Sequence, residues 1–130
     1  MAFERFTDVG RVFRPRASIR SNGQIGFNHG SVKRFDMQKY SFAVLFYDKE
    51  NRKVGVKLTN DKTEAGASSL ITRSGNGTVS ARAFLEYYRL LPKITTQHDI
   101  EWDEENKLLV VDIGKGSQRT RKKIDREHVV

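Results

Sequence analysis

Residues 41 to 58 read SFAVLFYDKENRKVGVKL, and this stretch decides the fold. Its first part, 41–47, is rich in aromatic and branched side chains, and its last part, 53–58, alternates apolar and polar residues, as strands do. The polar residues 48–52 between them favour a chain reversal. The stretch therefore predicts a β-hairpin.

The segments before this hairpin predict two strands and a short helix. Residues 16–20 and 24–27 have strand character, and the tight-turn signal Ser21-Asn22-Gly23 lies between them. Asn28, Gly30 and Ser31 can start a short helix that presents Val32 and Phe35 on one face. The expected order of this half is strand, strand, helix, strand, strand.

The second half predicts the same order of elements. Residues 69–73 resemble a strand, and 74–77 a Gly-rich turn. Ser80 is a candidate N-cap for a helix over 81–91, which Pro92 would stop. A second hairpin follows over 99–113, with a polar reversal at 103–107.

The two halves also share local sequence. Residues 47–52 match 102–107, with an aromatic residue, an acid, Glu-Asn and a base, and 20–23 match 73–77 with one insertion. This separation of roughly 53–55 residues indicates an internal duplication, although common turn residues could coincide by chance. We expect a mainly β fold with two short helices, either a β-barrel or α+β.

The charge of the chain is concentrated at its ends. The net charge is +8, of which residues 1–34 contribute +5, residues 35–113 contribute −1 and residues 114–130 contribute +4. We therefore divide the chain into a basic, aromatic arm (1–15), one domain of two repeats (16–59 and 67–113) and a basic tail (114–130). Basic ends on a compact body suit phosphate backbones. Solvated ends, or an acidic protein or membrane partner, are the alternatives.

The sequence offers little for catalysis. It contains no cysteine, its three histidines are far apart, and its glycines match no phosphate-binding loop. The acids at 103–105 have the composition of a solvated turn. We expect no enzyme activity, no metal and no cofactor. Because no apolar run is long enough to span a bilayer, we expect a cytoplasmic protein, associated with the nucleoid if it binds DNA.

The first half resembles the AbrB/SpoVT/MazE swapped-hairpin DNA-binding domain. The matching elements are the basic strand with Ile19-Arg20, the turn Gly23-Gln24, the strand 25–27, the helix with Val32-Lys33-Arg34-Phe35, Met37 and the hairpin over 42–58. The likeness covers about a third of the chain well and another third weakly, through the repeat. Asn28 stands where the family usually has Pro, and Gln24 where it usually has a basic residue.

The resemblance implies a barrel built by exchange of hairpins between two chains. Combined with the duplication, it predicts that one chain builds the barrel as a pseudo-dimer. It also implies DNA contacts from the first strand, the turn and the helix, here Arg20, Asn22, Gln24, Lys33 and Arg34. The terminal segments would add sequence-independent affinity through Arg11, Arg14, Arg16, Lys115, Arg119, Arg121, Lys122 and Lys123.

The expected function is a double-stranded DNA-binding transcriptional regulator or architectural protein. One alternative is a single-stranded DNA or RNA binder of Whirly-like kind, in which bases stack on exposed aromatic residues such as Phe27, Tyr40 or Phe46. Another is a protein-interaction subunit, such as an antitoxin or a component of a nucleoprotein complex, whose tail contacts the partner. The sequence leaves further dimerisation open.

Overall fold

A computed structural model describes residues 2–5, 14–115 and 117–118 of the chain. Its strands are β1 (Arg16–Ile19), β2 (Gln24–Phe27), β3 (Phe42–Asp48), β4 (Lys53–Thr59), β5 (Ser68–Arg73), β6 (Asn76–Ser80), β7 (Thr96–Asp103), β8 (Leu108–Asp112) and β9 (Ser117–Gln118). The α-helices are α1 (His29–Arg34) and α2 (Arg82–Tyr87). Two 3₁₀ turns span Met37–Lys39 and Ile113–Lys115.

The first eight strands close into an antiparallel barrel. Their order around the barrel is β1-β2-β6-β5-β3-β4-β8-β7, and β7 pairs back onto β1 from Arg16 opposite Asp99 to Ile19 opposite Thr96. Closure removes the free strand edges that an open sheet would expose. The prediction of a mainly β protein with two short helices is confirmed, and of the two expected architectures the barrel is the one observed.

Alternating apolar residues fill the interior of the barrel. Val54 lies opposite Val111 and Val56 opposite Leu109 where β4 meets β8, and all four are buried. On the far side Ile25 lies opposite Val79 where β2 meets β6, and both are buried. Burial of each such side chain stabilises the fold by about 1.5–3 kcal/mol relative to exposure.

Asn28 caps α1, as the sequence predicts. Its Oδ1 accepts hydrogen bonds from the Ser31 N–H at 2.9 Å and from the Arg16 N–H at 3.1 Å, and its Nδ2 donates to the Arg14 carbonyl at 2.9 Å. One amide side chain therefore joins the start of α1 to the start of β1. Asn28 supplies a capping oxygen that a proline could not.

The prediction for residues 74–91 is wrong in two respects. The reversal involves only Ser74 and Gly75, both at positive φ, while residues 76–80 form β6. Ser80 ends that strand and is not an N-cap; Ala81 precedes α2 and makes no side-chain cap hydrogen bond. Pairing of Val79 with buried Ile25 outweighs the local turn and capping signals.

Helix α2 also ends earlier than predicted. It stops at Tyr87, and Arg89 has a φ of 59°, so the chain leaves the helix before Pro92. The Leu90 N–H then bonds to the Leu85 carbonyl at 2.7 Å, as at a left-handed helix end. Within the described residues, no helix is long and apolar enough to cross a membrane.

Candidate nucleic-acid interface

The turn between β1 and β2 holds three of the predicted DNA-contacting residues in one hydrogen-bonded group. The Arg20 Nη1 donates to the Gln24 Oε1 at 3.1 Å, and the Gln24 N–H donates to the Asn22 Oδ1 at 3.1 Å. A Cβ at Gly26 would lie 2.2 Å from the Arg20 Nη2, so the guanidinium rests on the bare backbone of β2. Glycine at 26 thus lets Arg20 lie flat against the sheet.

This turn packs against the start of α2. Gly23 has a φ of 93°, and a Cβ there would lie 2.5 Å from the Cβ of Arg82. The Ala81 N–H donates to the Gly23 carbonyl at 2.9 Å. Arg82 is exposed and forms an ion pair with Glu86 at 2.9 Å. The packing therefore adds a cation from the second half of the chain to the turn of the first half.

The turn between β5 and β6 packs in the same manner against the start of α1. The His29 Nδ1 lies 3.3 Å from the Gly75 carbonyl oxygen, and a Cβ at Gly75 would approach that nitrogen to 2.8 Å. Beside this contact lies a groove of about 410 Å³ lined by His29, Lys33 and Arg73 among others. Lys33 and Arg73 are both exposed there.

The first turn with Arg82 and the second turn with Lys33 form two basic groups. They lie at opposite ends of the β2–β6 pair. Gln24 lies opposite Ser80 at one end, and Phe27 lies opposite Gly77 at the other. Three strand steps of about 3.3 Å separate these ends by about 10 Å. Between them lies Thr78, a small polar residue that is partly exposed and pairs with Gly26. We call this surface the basic face: Arg20, Asn22, Gln24, His29, Lys33, Arg73 and Arg82.

The cations of the basic face are largely unopposed by carboxylates. Among the ion pairs formed by the described residues, none includes Arg20, Lys33 or Arg73. Arg82 is the member that has a carboxylate partner, Glu86. Unopposed Lys and Arg side chains are the ones that can pair with phosphate oxygens.

Arg34 does not share a groove with its neighbour Lys33. It lines a separate groove of about 440 Å³ together with Tyr40, Trp102 and Lys107. Consecutive helical residues point about 100° apart, so a basic pair on a single-turn helix divides between two surfaces. The structure brings Lys33 to the basic face and directs Arg34 elsewhere.

Arg14 and Arg16 lie against an acid. The Arg14 Nη2 and the Arg16 Nε are both 3.6 Å from the Asp99 Oδ1 on β7. The Arg16 Nε is buried without a hydrogen-bond partner in the described structure. The Asp99 carboxylate therefore competes with phosphate for these two arginines. Their ion pairs join the start of β1 to β7.

The predicted cations of the arm and tail fall largely outside the described residues. Arg11, Arg119, Arg121, Lys122 and Lys123 lie outside the described residues, and of Lys115 the structure describes only the backbone. The start of the tail can be located, because Gln118 of β9 pairs with Thr96, which also pairs with Ile19. Ile19 immediately precedes Arg20, so Gln118 lies at the end of β1 that leads into the first turn.

Sequence reasoning missed three members of the basic face: His29, Arg73 and Arg82. Arg73 carries a signal, because Arg73-Ser74 repeats the Arg20-Ser21 that precedes the first turn. His29 and Arg82 carry none, since each reaches the face only through the packing of a glycine turn from the other half of the chain.

No profile of a known protein family, no curated protein and no solved structure matches this chain.

Proposed function

We propose that this chain is a non-catalytic DNA-binding protein, an internally duplicated swapped-hairpin barrel that holds double-stranded DNA against its basic face. The observation that carries the proposal is the convergence of unopposed cations from both halves of the chain on one side of a closed barrel. Such a surface supplies the phosphate contacts that position a duplex. Arg20 and Gln24 are then available to contact base edges by hydrogen bonds.

The strand pairing supports duplication. The shift along the chain that relates Asp48 to Asp103 also relates Gly55 to Val110, and these two residues pair with each other. The same shift converts the pair Tyr47–Val54 of the first hairpin into the pair Trp102–Leu109 of the second. A pseudo-two-fold axis through the Gly55–Val110 pair accounts for both relationships. Pairing is thus symmetric even where the side chains differ.

The hairpin turn that begins at Asp48 and the one that begins at Asp103 also form equivalent side-chain hydrogen bonds. The Asn51 Nδ2 donates to the Asp48 Oδ2 at 2.8 Å, and the Asn106 Nδ2 donates to the Asp103 Oδ2 at 2.8 Å. Each reversal then ends at a base with positive φ, Arg52 at 54° and Lys107 at 56°. Chance similarity of turn residues would not require the same side-chain bonds.

Packing between halves supports the exchange of hairpins. The first-half turn at Gly23 contacts α2, and the second-half turn at Gly75 contacts α1. In a barrel built from two chains, such contacts would run between subunits. A single chain that contains both halves would form them within itself and would not need a second copy to complete the barrel.

The two halves of the basic face differ in chemistry. Ile19 is buried and is followed by Arg20, whereas the equally buried Leu70 is followed by Ile71, which is 53% exposed. Arg20 lies across from Gln24, and Ile71 lies across from Thr78. The first half therefore offers Arg and Gln where the second offers Ile and Thr. We infer that the first half supplies most of the base contacts and that the bound site is not palindromic.

The environments of Phe27 and Phe46 favour a duplex over a single strand. Stacking of bases requires exposed rings, but Phe27 is 2% exposed. Phe46 is exposed, yet it lies in a groove with Glu101 and Asp103, whose carboxylates repel phosphate. We place the protein among transcriptional regulators or architectural proteins, with the tail adding salt-sensitive affinity.

The test is a binding titration of the full chain with duplex DNA, single-stranded DNA and RNA of one sequence at two salt concentrations. The triple variant Arg20→Ala/Lys33→Ala/Arg73→Ala should weaken duplex binding at least tenfold and flatten its salt dependence. A matched triple variant, Lys49→Ala/Lys53→Ala/Lys62→Ala, removes the same charge from exposed positions outside the basic face and should change binding little.

Two outcomes would contradict the proposal. Equal losses in the two triple variants would show that only net charge matters, and preference for a single strand would favour the stacking alternative. Thermal unfolding of the control variant should match that of the parent chain, because its three lysines are exposed. Arg20 is only partly exposed and bonds to Gln24, so thermal unfolding of the Arg20→Ala/Lys33→Ala/Arg73→Ala variant is measured to confirm that it is folded at the temperature of the titration.

A further inference from the structure

A groove of about 510 Å³ lies on the outer surface of the two long hairpins, β3–β4 and β7–β8. Its apolar part is formed by Phe46, Trp102, Leu108 and Val110. We call it the hairpin groove. It lies on the opposite side of the barrel from the basic face, because β4 and β8 are four strands away from β2 and β6 around the eight-stranded ring.

The floor of the hairpin groove depends on a glycine. Phe46, Gly55, Val110 and Glu101 form one row across the four strands. A Cβ at Gly55 would lie 2.9 Å from the Leu108 Cδ1 and 3.5 Å from the Phe46 Cβ. The bare backbone of Gly55 therefore creates a depression between apolar walls.

Two large aromatic side chains remain accessible in this groove. Phe46 is 44% exposed and Trp102 is 47% exposed. The Trp102 Nε1 donates to the Glu104 Oε1 at 2.8 Å, which orients the indole. Exposed, oriented aromatic residues in a concave site are the features that protein-binding surfaces use as anchors.

The rim of the hairpin groove is acidic. Four carboxylates, Asp48, Glu101, Asp103 and Glu104, and one cation, Lys53, belong to its lining, and a second cation, Lys107, pairs with Glu104. Hydrogen bonds from Asn106 hold the pKa of Asp103 below its usual value, and those from Asn51 do the same for Asp48. A smaller adjoining groove adds Asp112. The surface is therefore negative on a chain whose net charge is +8.

We propose that the hairpin groove binds a cationic segment of a partner protein, with an Arg or Lys side chain on Trp102 and an apolar side chain over Gly55. Charge complementarity selects this occupant. The carboxylates repel nucleic acid, and within the described part of the chain no three acidic or histidine side chains are grouped so as to hold a metal ion. The exposed indole offers a cation–π surface beside the carboxylates.

The position of the groove gives this interaction a consequence for the whole molecule. A partner bound there would not cover the basic face, so DNA and protein could be held at the same time. The inference does not depend on DNA binding, since the groove is argued from its own residues.

Trp102 makes the proposal directly testable, because it is the only tryptophan in the chain. The full chain is titrated with a synthetic amphipathic peptide of alternating Arg and Leu, and Trp102 fluorescence is recorded. The expected result is a saturable change that weakens with added salt. A peptide of alternating Glu and Leu should give no saturable change.

Substitutions locate the site. Glu101→Gln/Glu104→Gln should weaken binding of the Arg-Leu peptide about tenfold. The matched control Glu64→Gln/Glu86→Gln removes two carboxylates outside the groove and should leave the affinity unchanged. Gly55→Ala tests the floor but can unfold the barrel, so its thermal unfolding is measured alongside.

Three results would overturn the proposal: no saturable binding of the Arg-Leu peptide, equal binding by the Glu101→Gln/Glu104→Gln variant, or equal losses in the variant and the control. Sedimentation of the full chain supplies a further test. Salt-sensitive self-association that the Glu101→Gln/Glu104→Gln substitutions abolish would assign the groove to basic segments of a second copy, and the partner protein would be rejected.

Discussion

Gly23 lies against Arg82, at a distance that no side chain at position 23 could accommodate without movement of the helix. A Cβ at Gly23 would lie 2.5 Å from the Arg82 Cβ and 2.9 Å from its Cα. The contact joins the turn of the first hairpin to the first residue of α2, which belongs to the other half of the chain. Its geometry leads to the first of the predictions below.

Gly23→Ala should lower the free energy of unfolding by about 2–4 kcal/mol, because it combines a left-handed backbone with a clash against backbone-proximal atoms. Gly66→Ala is the matched control: Gly66 also has positive φ, 83°, but its nearest contact is an ordinary 3.6 Å to Val44. The control should lose only about 1 kcal/mol. Chemical denaturation of the three proteins measures both values, and equal losses would contradict the packing argument.

Asn28→Ala should destabilise the protein by about 2 kcal/mol, since it removes the cap of α1 and leaves the Arg16 N–H with one partner fewer. Asn28→Ser keeps a side-chain oxygen that can accept at the cap and, unlike Asp, sets no second oxygen against the Arg14 carbonyl. We expect Ser to restore about half of the lost stability in the same denaturation experiment. If Ser were as damaging as Ala, the capping oxygen would not be the important group.

His98 should make the stability of the barrel depend on pH. Burial lowers the pKa of His98 below its ordinary value of 6.5, and the charge of Arg16 acts in the same direction. A group whose pKa is depressed on folding stabilises the native state above its unfolded pKa, and this contribution is lost as the pH falls. The melting temperature should therefore be constant above pH 6.5 and decline below it.

The His98 Nε2 lies 2.8 Å from the Thr96 Oγ1. The comparison variant for this prediction is therefore His98→Gln, which keeps a polar group near Thr96. Its melting temperature should show a smaller decline between about pH 6.5 and 5, the range in which an ordinary histidine gains its proton. Parallel curves for the parent and the variant would show that another group is responsible.

Ile71→Arg should strengthen duplex binding by several-fold. Ile71 is exposed on β5, two residues before Arg73, so an arginine there would add a phosphate contact beside Arg73. The slope of log affinity against log salt should become steeper by about one. Ile71→Gln is the uncharged control, and an arginine effect no larger than that of glutamine would show that this part of β5 does not contact the phosphates.

Local signals in the sequence were enough to predict most strands. The hairpin over 41–58 appears as β3 and β4, displaced by a single residue at three of its four strand ends, because apolar alternation and a polar reversal agree there. Asn28 was predicted as the cap of α1 for the same reason: capping is a local interaction. The short strand β9, which pairs with Thr96 and Gln97, has no local pattern and was missed.

Contacts between the halves could not be predicted from local patterns. The strand β6 was interpreted as a turn and a helix cap, since its strand character depends on pairing with β2. The packing of the helices likewise places Lys33 and Arg34 on different surfaces. It also brings Arg82 against the first turn. The candidate residues of the first turn were predicted from sequence, but the composition of the basic face required the three-dimensional arrangement.

The seam between β1 and β7 has a consequence for synthesis of the protein. The barrel is complete only when Arg16 through Ile19 meet Thr96 through Asp99, so a chain emerging from the ribosome must keep its first strand unpaired on one side until most of the sequence has been made. Any shortened product that ends before β7 exposes open edges, which invite association with other strands. A fragment that ends before β7 should therefore aggregate more readily than the full chain.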